Sequence, residues 1–369
     1  MPKSPSPFSK HNPKLQLAWD ASSYGALLFC PRFYQYTIVE GFRFPGNSVH
    51  LEFGRLFASS VETFSLKRLE GYSKEEATLA AVQYAVENSG FLDEDGKWHP
   101  WGGEWKVQWR CTGTEPYRNE KGNRAKCPYS HKGKWFDPPE PAGCGLCDSE
   151  IELRSRWLPE NKEKNRNTLV RLVCWYCDEQ PEEEGIQPIT INGRPAVELS
   201  LRTPLPFINK YGERYILAGY VDRLVDFQDE NWIADNKTTK KTLGKTYWST
   251  WRPNYQMETY DILVNATMPE LKTKGVLIEA AQALVGGAEF GTMPIRYTDT
   301  QREEYLRDLE YWLGQAEKFA EDDYWPMNRR SCGFCSLRTI CAMPTEKRRL
   351  QSLKADYEVK KWNPLEDRN

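Results

Sequence analysis

Two aspartates and a lysine are predicted to meet on one face of a β-hairpin. Two runs rich in β-branched and aromatic residues flank a polar turn, which is typical of paired antiparallel strands. If the turn centres between Gln228 and Asp229, Asp222 faces Asp235 across the hairpin, with β-carbons about 4.5 to 5.5 Å apart. Side chains alternate along a strand, so Lys237 returns to the face that Asp235 occupies.

Such a pair of carboxylates suits a divalent cation. Opposed carboxylates repel each other and destabilise a hairpin unless a cation lies between them. Their oxygen atoms favour Mg²⁺ or Mn²⁺, which bind through one or two carboxylates together with substrate phosphate. The arrangement predicts metal-assisted hydrolysis of a phosphodiester, with Lys237 positioning the nucleophile and offsetting charge in the transition state. A charged hairpin edge that only faces solvent is the alternative, since a register can slip by one residue.

The hydrophobic periodicity predicts a core of helices and strands around this hairpin. Apolar runs predict strands at 196–201, 215–227, 232–238 and 276–278. Helical spacing and capping signals predict helices at 22–30, from Ser73 to near Gly90, from Pro253 to Met268 and at 300–323. A charged C-terminal segment is predicted to form a helix that frays into a tail.

The sequence around the hairpin is similar to a known signature. GYVDRL (219–224) and IADNKT (233–238) resemble the split motif of the PD-(D/E)XK nuclease superfamily, and most closely that of its RecB-type branch. QMETY (256–260) matches the Gln-x-x-x-Tyr that follows in that branch. The resemblance implies an α/β fold with a restriction-endonuclease-like core, in which a mixed central sheet in the order αβββαβ is flanked by helices.

The same resemblance implies a role for each matching residue. The implied roles are metal ligation by Asp222, Asp235 and the backbone carbonyl of Asn236, catalysis by Lys237, and orientation of the site and of DNA by Gln256 and Tyr260. Glu198, on the preceding strand, is a further candidate for the catalytic set. An ordinary edge carboxylate is the alternative for Glu198.

One position departs from the pattern of the branch. A metal-binding histidine usually follows four residues after a glycine on an early helix, but here Ala58 follows Gly54 at that spacing. Glu62 lies one helical turn beyond Ala58 and could supply an oxygen ligand instead. A strict interpretation of the gap is loss of activity.

Ten cysteines point to metal ligation, because clustered thiols in a reducing compartment usually bind metal. Two Cys-x-x-Cys pairs predict tetrahedral zinc in a zinc-ribbon-like module, with the ligands Cys144, Cys147, Cys174 and Cys177. Unpaired structural thiols are the alternative. Cys111 and Cys127 stay unassigned, either as replacement ligands or as part of a second site with His131.

The remaining cysteines carry a second resemblance. CPRFY (30–34), together with a late Cys-x-x-Cys and one further cysteine, looks like the split iron-sulfur clasp of AddB-type helicase-nucleases and CRISPR-associated RecB-like exonucleases. This likeness implies a 4Fe-4S cluster bound by the clasp cysteines, which are Cys30, Cys332, Cys335 and Cys341. The clasp would pin the N-terminal helix to the C-terminal segment. Four-thiolate zinc or an empty site is the alternative.

Basic residues that follow the second strand of the hairpin predict contact with nucleic acid. The basic run consists of Lys240, Lys241, Lys245 and Arg252. Tyr247, Trp248 and Trp251 are interspersed with it, and this mixture suits phosphate contacts and base stacking. A solvated loop with core aromatic residues is the alternative.

Composition excludes several classes of protein. With 50 Lys+Arg against 52 Asp+Glu the net charge is -2, which argues against a histone-like polycation. The four histidines match no metalloprotease spacing. No apolar run of membrane-spanning length and no signal peptide is evident, so we expect an intracellular protein without a membrane partner.

Composition also divides the chain. The predicted units are an N-terminal helical part at 1–97, a Cys-rich inserted module at 98–187, the nuclease core at 188–344 and a charged tail at 345–369. The sequence thus predicts a Mg²⁺- or Mn²⁺-dependent deoxyribonuclease, with exonuclease action on DNA ends or single strands favoured by the resemblance. A degenerate DNA-binding subunit and a ribonuclease are the alternatives. No P-loop is present, so any unwinding would come from a separate helicase or recombination partner.

Overall fold

A computed structural model of the chain describes residues 5–44, 48–92, 98–127, 129, 135–136, 144–181 and 185–366. His131, a candidate ligand, lies outside these ranges. No helix within them is long and apolar enough to cross a membrane.

Helices surround the sheet on both faces. They are α1 (Ala21–Phe29), α2 (Pro31–Tyr34), α3 (Val49–Leu69), α4 (Lys74–Asn88), α5 (Arg166–Glu179), α6 (Lys245–Trp248), α7 (Tyr255–Thr267), α8 (Asp299–Glu321), α9 (Arg338–Cys341) and α10 (Glu346–Asp356). A π-helical turn at Gln35–Val39 and 3₁₀ turns at Ser249–Trp251, Pro269–Leu271 and Arg329–Phe334 connect some of them. The helices α1, α4, α5 and α8 begin with capping boxes, which satisfy backbone N–H groups of the first turn.

Most of the longer strands lie in the second half of the chain. The strands are β1 (Ala18–Trp19), β2 (Phe42–Arg43), β3 (Gly90–Leu92), β4 (Trp98–Pro100), β5 (Gly103–Cys111), β6 (Tyr117–Arg118), β7 (Arg124–Ala125), β8 (Trp135–Phe136), β9 (Ile151–Pro159), β10 (Gln187–Pro188), β11 (Thr190–Ile191), β12 (Arg194–Pro195), β13 (Val197–Ile208), β14 (Arg214–Phe227), β15 (Glu230–Thr239), β16 (Val276–Ala283), β17 (Ala288–Ile295) and β18 (Glu358–Val359).

A seven-stranded mixed sheet forms the centre of the fold. β14 pairs antiparallel with β13 and β15, β15 is parallel to β16, and β16 is antiparallel to β17. β1 lies parallel to β14 at Ile216 and Leu217, whereas β15 pairs with β14 only from Arg223 to Phe227. The β14 residues between these two ladders therefore lie where the sheet opens.

Two helical layers cover this sheet. α1, α7 and α8 pack on one face through buried side chains such as Leu27, Leu263 and Leu309. α3, α4 and α5 pack on the other face through a core that contains Phe57 and Leu172. Every residue of β16 is buried, as expected for a strand covered on both sides. The mixed sheet and its flanking helices agree with the predicted α/β fold class.

A smaller sheet lies in the segment between α4 and α5. β5 and β9 pair antiparallel along their whole lengths, from Gly103 opposite Pro159 to Cys111 opposite Ile151. β8 adds to β5, and β6 pairs with β7. The backbone N–H of Glu160 donates to the carbonyl of Gly102 at 2.8 Å, so the chain enters and leaves this sheet at adjacent points.

The helix α5 lies within residues 98–187, where the sequence analysis predicts no helix. Leu169, Leu172, Val173 and Tyr176 are buried along one side of it, in the spacing of an amphipathic helix. Asn165 caps its first turn by accepting from the backbone N–H groups of residues 167 and 168. Both signals are local, so the sequence already contained them.

The C-terminal segment is a helix, as predicted, but the described chain after it, up to Glu366, packs on the rest of the fold. β18 pairs with β2, and the indole N–H of Trp362 donates to Asp20 Oδ1 at 3.1 Å. Leu365 is buried against Ala18 and Ala218. Two apolar side chains thus tie a highly charged segment to the sheet edge.

The start of α7 differs from the prediction. Asn254 caps this helix, so the helix begins after Asn254 and not at Pro253.

Candidate functional site

The predicted hairpin register is confirmed. Gln228 and Asp229 both have left-handed backbone conformations, with φ of 56° and 58°, which is typical of a two-residue hairpin turn. The ladder ends where Arg223 faces Ala234. In this register Asp222 faces Asp235 at the next position, where the two strands begin to part.

Asp222, Asp235 and Lys237 meet at that point. Asp235 is 1% exposed, and its Oδ2 lies 2.5 Å from the Lys237 ammonium nitrogen. Asp222 accepts a long hydrogen bond of 3.4 Å from the backbone N–H of Asn236. Burial, followed by the charge of Asp235, raises the pKa of Asp222 to about 7. One ammonium group therefore lies beside this pair of carboxyl groups, and burial makes Asp222 costly to ionise.

Two further carboxylates lie near this pair. Glu198 sits between the β13–β14 pairs at Val197 and Leu199, opposite Asp222 in register. Its φ of 48° is uncommon for a residue with a side chain and interrupts the ladder. Burial, followed by the charge of Glu198, raises the pKa of Glu62 to about 7. The structure thus brings Glu62 and Glu198 within electrostatic reach of the hairpin site.

This donor set fits a hard divalent cation. Its atoms are partly buried carboxylate oxygens, and the raised pKa values of Asp222 and Glu62 come from burial and from the charge of neighbouring carboxylates, a repulsion that a bound cation would relieve. The backbone N–H of Asn236 donates to Asp222, and the side-chain oxygen of Asn236 accepts from Arg223 at 3.2 Å. Ligation by the backbone carbonyl of Asn236 stays a prediction.

The Asp222→Asn substitution is expected to stabilise the metal-free protein. A carboxyl whose folded pKa is raised destabilises the fold above its unfolded pKa, and this cost disappears as pH falls towards 4. We expect a gain on the order of 1 to 3 kcal/mol at pH 8 that fades at pH 5. Thermal unfolding in the presence of a chelator measures it. Asp226→Asn, an exposed change on the same strand, is the control, and a lower melting temperature for Asp222→Asn at pH 8 would contradict the expectation.

Gln256 and Tyr260 share one side of α7, as predicted. The Gln256 amide donates to the Tyr260 hydroxyl at 2.9 Å. Burial, followed by the charges of Asp235 and Asp222, raises the pKa of Tyr260 well above its usual range, so its ring lies close to the carboxylates. A Cβ at Gly219 would lie 2.7 Å from the Leu263 side chain. The signature glycine therefore allows α7 to approach β14.

The side chains of the basic run are exposed beside this site, at Lys240, Lys241, Lys245 and Arg252. The aromatic residues interspersed with them differ from the expectation of base stacking. Tyr247 is buried, and the Trp248 indole donates to the carbonyl of Leu243 at 2.8 Å. Trp251 is partly exposed, with Lys237 5.6 Å from its ring. Tyr247 and Trp248 therefore pack within the loop, next to Leu243.

Lys164 was missed by the sequence analysis. It is 6% exposed, and its ammonium group donates to the carbonyl and hydroxyl of Thr238 at 3.4 and 3.3 Å. Burial and then the charge of Lys240 lower its pKa. Among the described residues it has no carboxylate within ion-pair distance. Its position depends on how the chain returns to α5, which no local signal reveals.

A buried ion pair behind the site was also missed. Arg223, 1% exposed, pairs with Glu279 of β16 and also donates to Ser65 and Asn236. The Tyr176 hydroxyl donates to Glu279 Oε1 at 3.1 Å. A lone acidic residue in the apolar run VLIEAAQA was the available signal. This network connects β14, β15 and β16 to α3 and α5.

The clasp cysteines come together. Cys30, Cys332, Cys335 and Cys341 line one small cavity between the end of α1 and the segment that follows α8. The backbone N–H of Asn328 donates to the Cys30 sulfur at 3.3 Å. Burial raises the pKa of Cys335 and Cys341, and the neighbouring clasp thiols add to this effect. The cavity joins the two ends of the chain that the resemblance links.

The predicted zinc ligands are not brought together as one set. Cys174 and Cys177 lie one turn apart on α5, where Cys177 packs with the helical layer. Cys144 and Cys147 instead meet the two unassigned cysteines, Cys111 and Cys127. In the described part of the chain these four alone form a group whose ligand atoms all lie within 4.8 Å. We call Cys111, Cys127, Cys144 and Cys147 the module quartet.

The comparisons with known proteins agree with this geometry. A family model described as the PD-(D/E)XK nuclease superfamily matches residues 143–342, more than half of the chain. A search of curated proteins finds no match. The matched span contains β13 to β16 and α7, whereas α3 with Glu62 precedes it. The chain belongs to the PD-(D/E)XK nuclease superfamily.

Proposed function

We propose that the protein is a divalent-metal-dependent deoxyribonuclease that hydrolyses phosphodiester bonds at DNA ends or in single strands, with exonuclease action favoured. The observation that carries this proposal is the meeting of Asp222, Asp235 and Lys237 where β14 and β15 part. Family membership supports the nuclease chemistry. The preference for exonuclease action rests on the resemblance to the RecB-type branch.

The proposed roles follow from the contacts of each side chain. Asp222 and Asp235 hold Mg²⁺ or Mn²⁺, with the backbone carbonyl of Asn236 as a further ligand. When bound, the cation polarises the scissile phosphate. Lys237 positions the attacking water and offsets charge that grows on the phosphate oxygens. Glu62 and Glu198 stand where further ligands would bind.

Gln256 and Tyr260 orient the site and the DNA. Their hydrogen bond fixes the tyrosine ring beside the two aspartates, so the hydroxyl and amide can position the DNA backbone. The exposed basic run supplies cations for phosphates outside the site. Lys164 adds a buried cation at the end of β15, next to Lys240. Because the chain contains no P-loop, unwinding of duplex DNA requires a separate helicase partner.

Cleavage assays test the proposal. End-labelled single-stranded DNA, blunt duplex DNA and RNA are incubated with the protein and Mg²⁺ or Mn²⁺. We expect DNA to be shortened from an end, with activity lost in a chelator and in Asp235→Asn and kept in the exposed control Asp226→Asn. Preferential cleavage of RNA, or cleavage that survives Asp235→Asn, would overturn the proposal.

A second candidate is favoured by one residue. Ala58 stands where the branch usually has a metal-binding histidine, so a DNA-binding subunit without catalysis is the alternative. The presence of Glu62 one turn further along α3, within reach of Glu198, favours the enzyme. Tight DNA binding without cleavage in either metal would favour the binding subunit.

We further propose that the clasp cysteines bind a 4Fe-4S cluster. Four thiolates are the usual ligand set, and the four sulfurs line one cavity without forming a group as tight as the module quartet. A wider spacing suits a cluster, since each thiolate binds a different iron. Such a cluster would close a loop of nearly the whole chain and restrict the unfolded state.

Loss of one clasp thiol is expected to remove iron. Protein purified without oxygen should be brown and contain about four irons per chain. Cys335→Ser should lose the visible absorption and most of the iron, and should unfold at a lower temperature. Cys174→Ser removes another half-buried thiol and should keep the iron. Iron-free wild-type protein from anaerobic preparation would contradict the cluster.

A further inference from the structure

The module quartet has the geometry of a closed four-thiolate site. All four cysteines are buried, and their sulfur atoms lie within 4.8 Å of one another. The distances between Cys111 and Cys147 sulfurs and between Cys127 and Cys144 sulfurs are 3.6 and 3.7 Å. A tetrahedral zinc ion with Zn–S bonds of about 2.3 Å places its sulfurs about 3.8 Å apart. The spacing of the thiols matches the edges of that tetrahedron.

We propose that Cys111, Cys127, Cys144 and Cys147 bind one structural zinc ion. A disulfide would need sulfurs about 2 Å apart, so these pairs are not cross-linked. A multi-iron cluster would hold its thiolates on different irons and therefore farther apart. One small tetrahedral ion is the occupant that fits the distances.

Three backbone segments deliver the ligands. Cys111 ends β5, and Cys127 follows the β6–β7 hairpin. Cys144 and Cys147 lie in a tight turn, in which the Cys144 carbonyl accepts from the backbone N–H groups of Cys147 and Asp148 at 3.3 and 2.9 Å. Asp148 has a φ of 54°, which turns the chain towards β9. The turn presents both sulfurs of the pair to one point.

A serine supports the site from outside. Ser149 is fully buried, and its hydroxyl oxygen accepts the backbone N–H of Glu115 at 2.9 Å. That leaves its hydroxyl hydrogen to donate to the Cys147 sulfur, 3.0 Å away. A hydrogen bond of this kind orients a thiolate ligand.

The quartet also forms the buried centre of its surroundings. Among the described residues this cluster consists of the four cysteines, with Tyr117 and Tyr129 packed at its edge. In the described part of the module, these groups lie between β5, the β6–β7 hairpin and the turn. Metal ligation holds these elements together, because its free energy is folding free energy. With four protein ligands no coordination position stays open, so the zinc is structural and not catalytic.

Metal analysis of the full chain and its cysteine variants tests the assignment. Wild-type protein should contain about one zinc per chain. The double variant Cys111→Ser/Cys127→Ser should lose it, whereas Cys174→Ser/Cys177→Ser should keep it. The second variant is the matched control because it removes the other candidate thiols. Loss of zinc in the control only would overturn the assignment, as would zinc-free wild-type protein.

A measurement on the wild-type chain covers the case in which the quartet variant fails to fold. Exchange of zinc for Co²⁺ should give the intense thiolate-to-cobalt absorption of a tetrahedral four-sulfur site. Absence of that absorption, with cobalt bound, would overturn the proposal. Neither readout depends on DNA cleavage, so the zinc site and the nuclease function can fail separately.

Discussion

Replacing Lys237 by alanine is expected to lower kcat for DNA cleavage by about 100- to 1,000-fold. The Lys237 ammonium lies 2.5 Å from Asp235 Oδ2, and its charge also acts on Asp222. Its loss removes the group that offsets charge on the phosphate as the transition state forms. The affinity for DNA should change little, because the basic run stays in place. Single-turnover cleavage at saturating Mg²⁺ measures the rate.

The matched control is Lys241→Ala. Lys241 is exposed four residues further along the chain, and its loss should weaken DNA binding and reduce its salt dependence, with kcat unchanged. Circular dichroism of Lys237→Ala verifies that the fold persists. An unchanged kcat in Lys237→Ala, or an equal loss in both variants, would show that Lys237 acts only as one more surface cation.

The Glu279→Ala substitution is expected to cost about 3 to 5 kcal/mol of unfolding free energy. Arg223 and Glu279 are 1% and 6% exposed, and removal of the carboxylate leaves a buried guanidinium without its counter-ion. The Tyr176 hydroxyl loses its acceptor as well. Denaturant unfolding of the metal-free protein measures the effect. Because Arg223 adjoins Asp222 and bonds Asn236, cleavage should fall too.

Three companion variants separate this pair from general effects. Glu289→Ala, on the exposed face of the neighbouring strand, should be close to neutral. Tyr176→Phe removes one hydrogen bond and should cost about 1 kcal/mol. The double change Arg223→Met/Glu279→Leu removes both charges and should cost less than Glu279→Ala alone. A Glu279→Ala protein as stable as the wild type would refute the role of the pair.

Local signals account for what the sequence predicted correctly. The facing of Asp222 and Asp235 depends on a two-residue turn and on alternation along two adjacent strands, both of which act within a few residues. The pair of Gln256 and Tyr260 likewise depends only on helical spacing. These spatial relations hold in the folded protein because a distant contact could change them only by disrupting the hairpin or the helix itself.

The predicted zinc ligands show where local signals end. Spacing identified the pair of Cys144 and Cys147, but Cys174 and Cys177 have the same spacing as two residues on one face of a helix. Which thiols meet is decided by the pairing of β5 with β9, which carries Cys111 to the turn. Lys164 reaches β15 for a similar reason. The position of Lys164 depends on the path by which the chain returns to α5, and no sequence motif predicts that path.

The adjacency of the two ends of the β5–β9 pair has a consequence for how such chains can diverge. Gly103 and Pro159 face each other, and the backbone N–H of Glu160 donates to the carbonyl of Gly102. The chain between these residues therefore leaves and re-enters the rest of the fold at adjacent points. The length of this segment and its cysteines can change without moving α4 or α5. Lys164 and α5, the helix whose Tyr176 donates to Glu279, follow this segment. A chain that lacked the segment would still retain them.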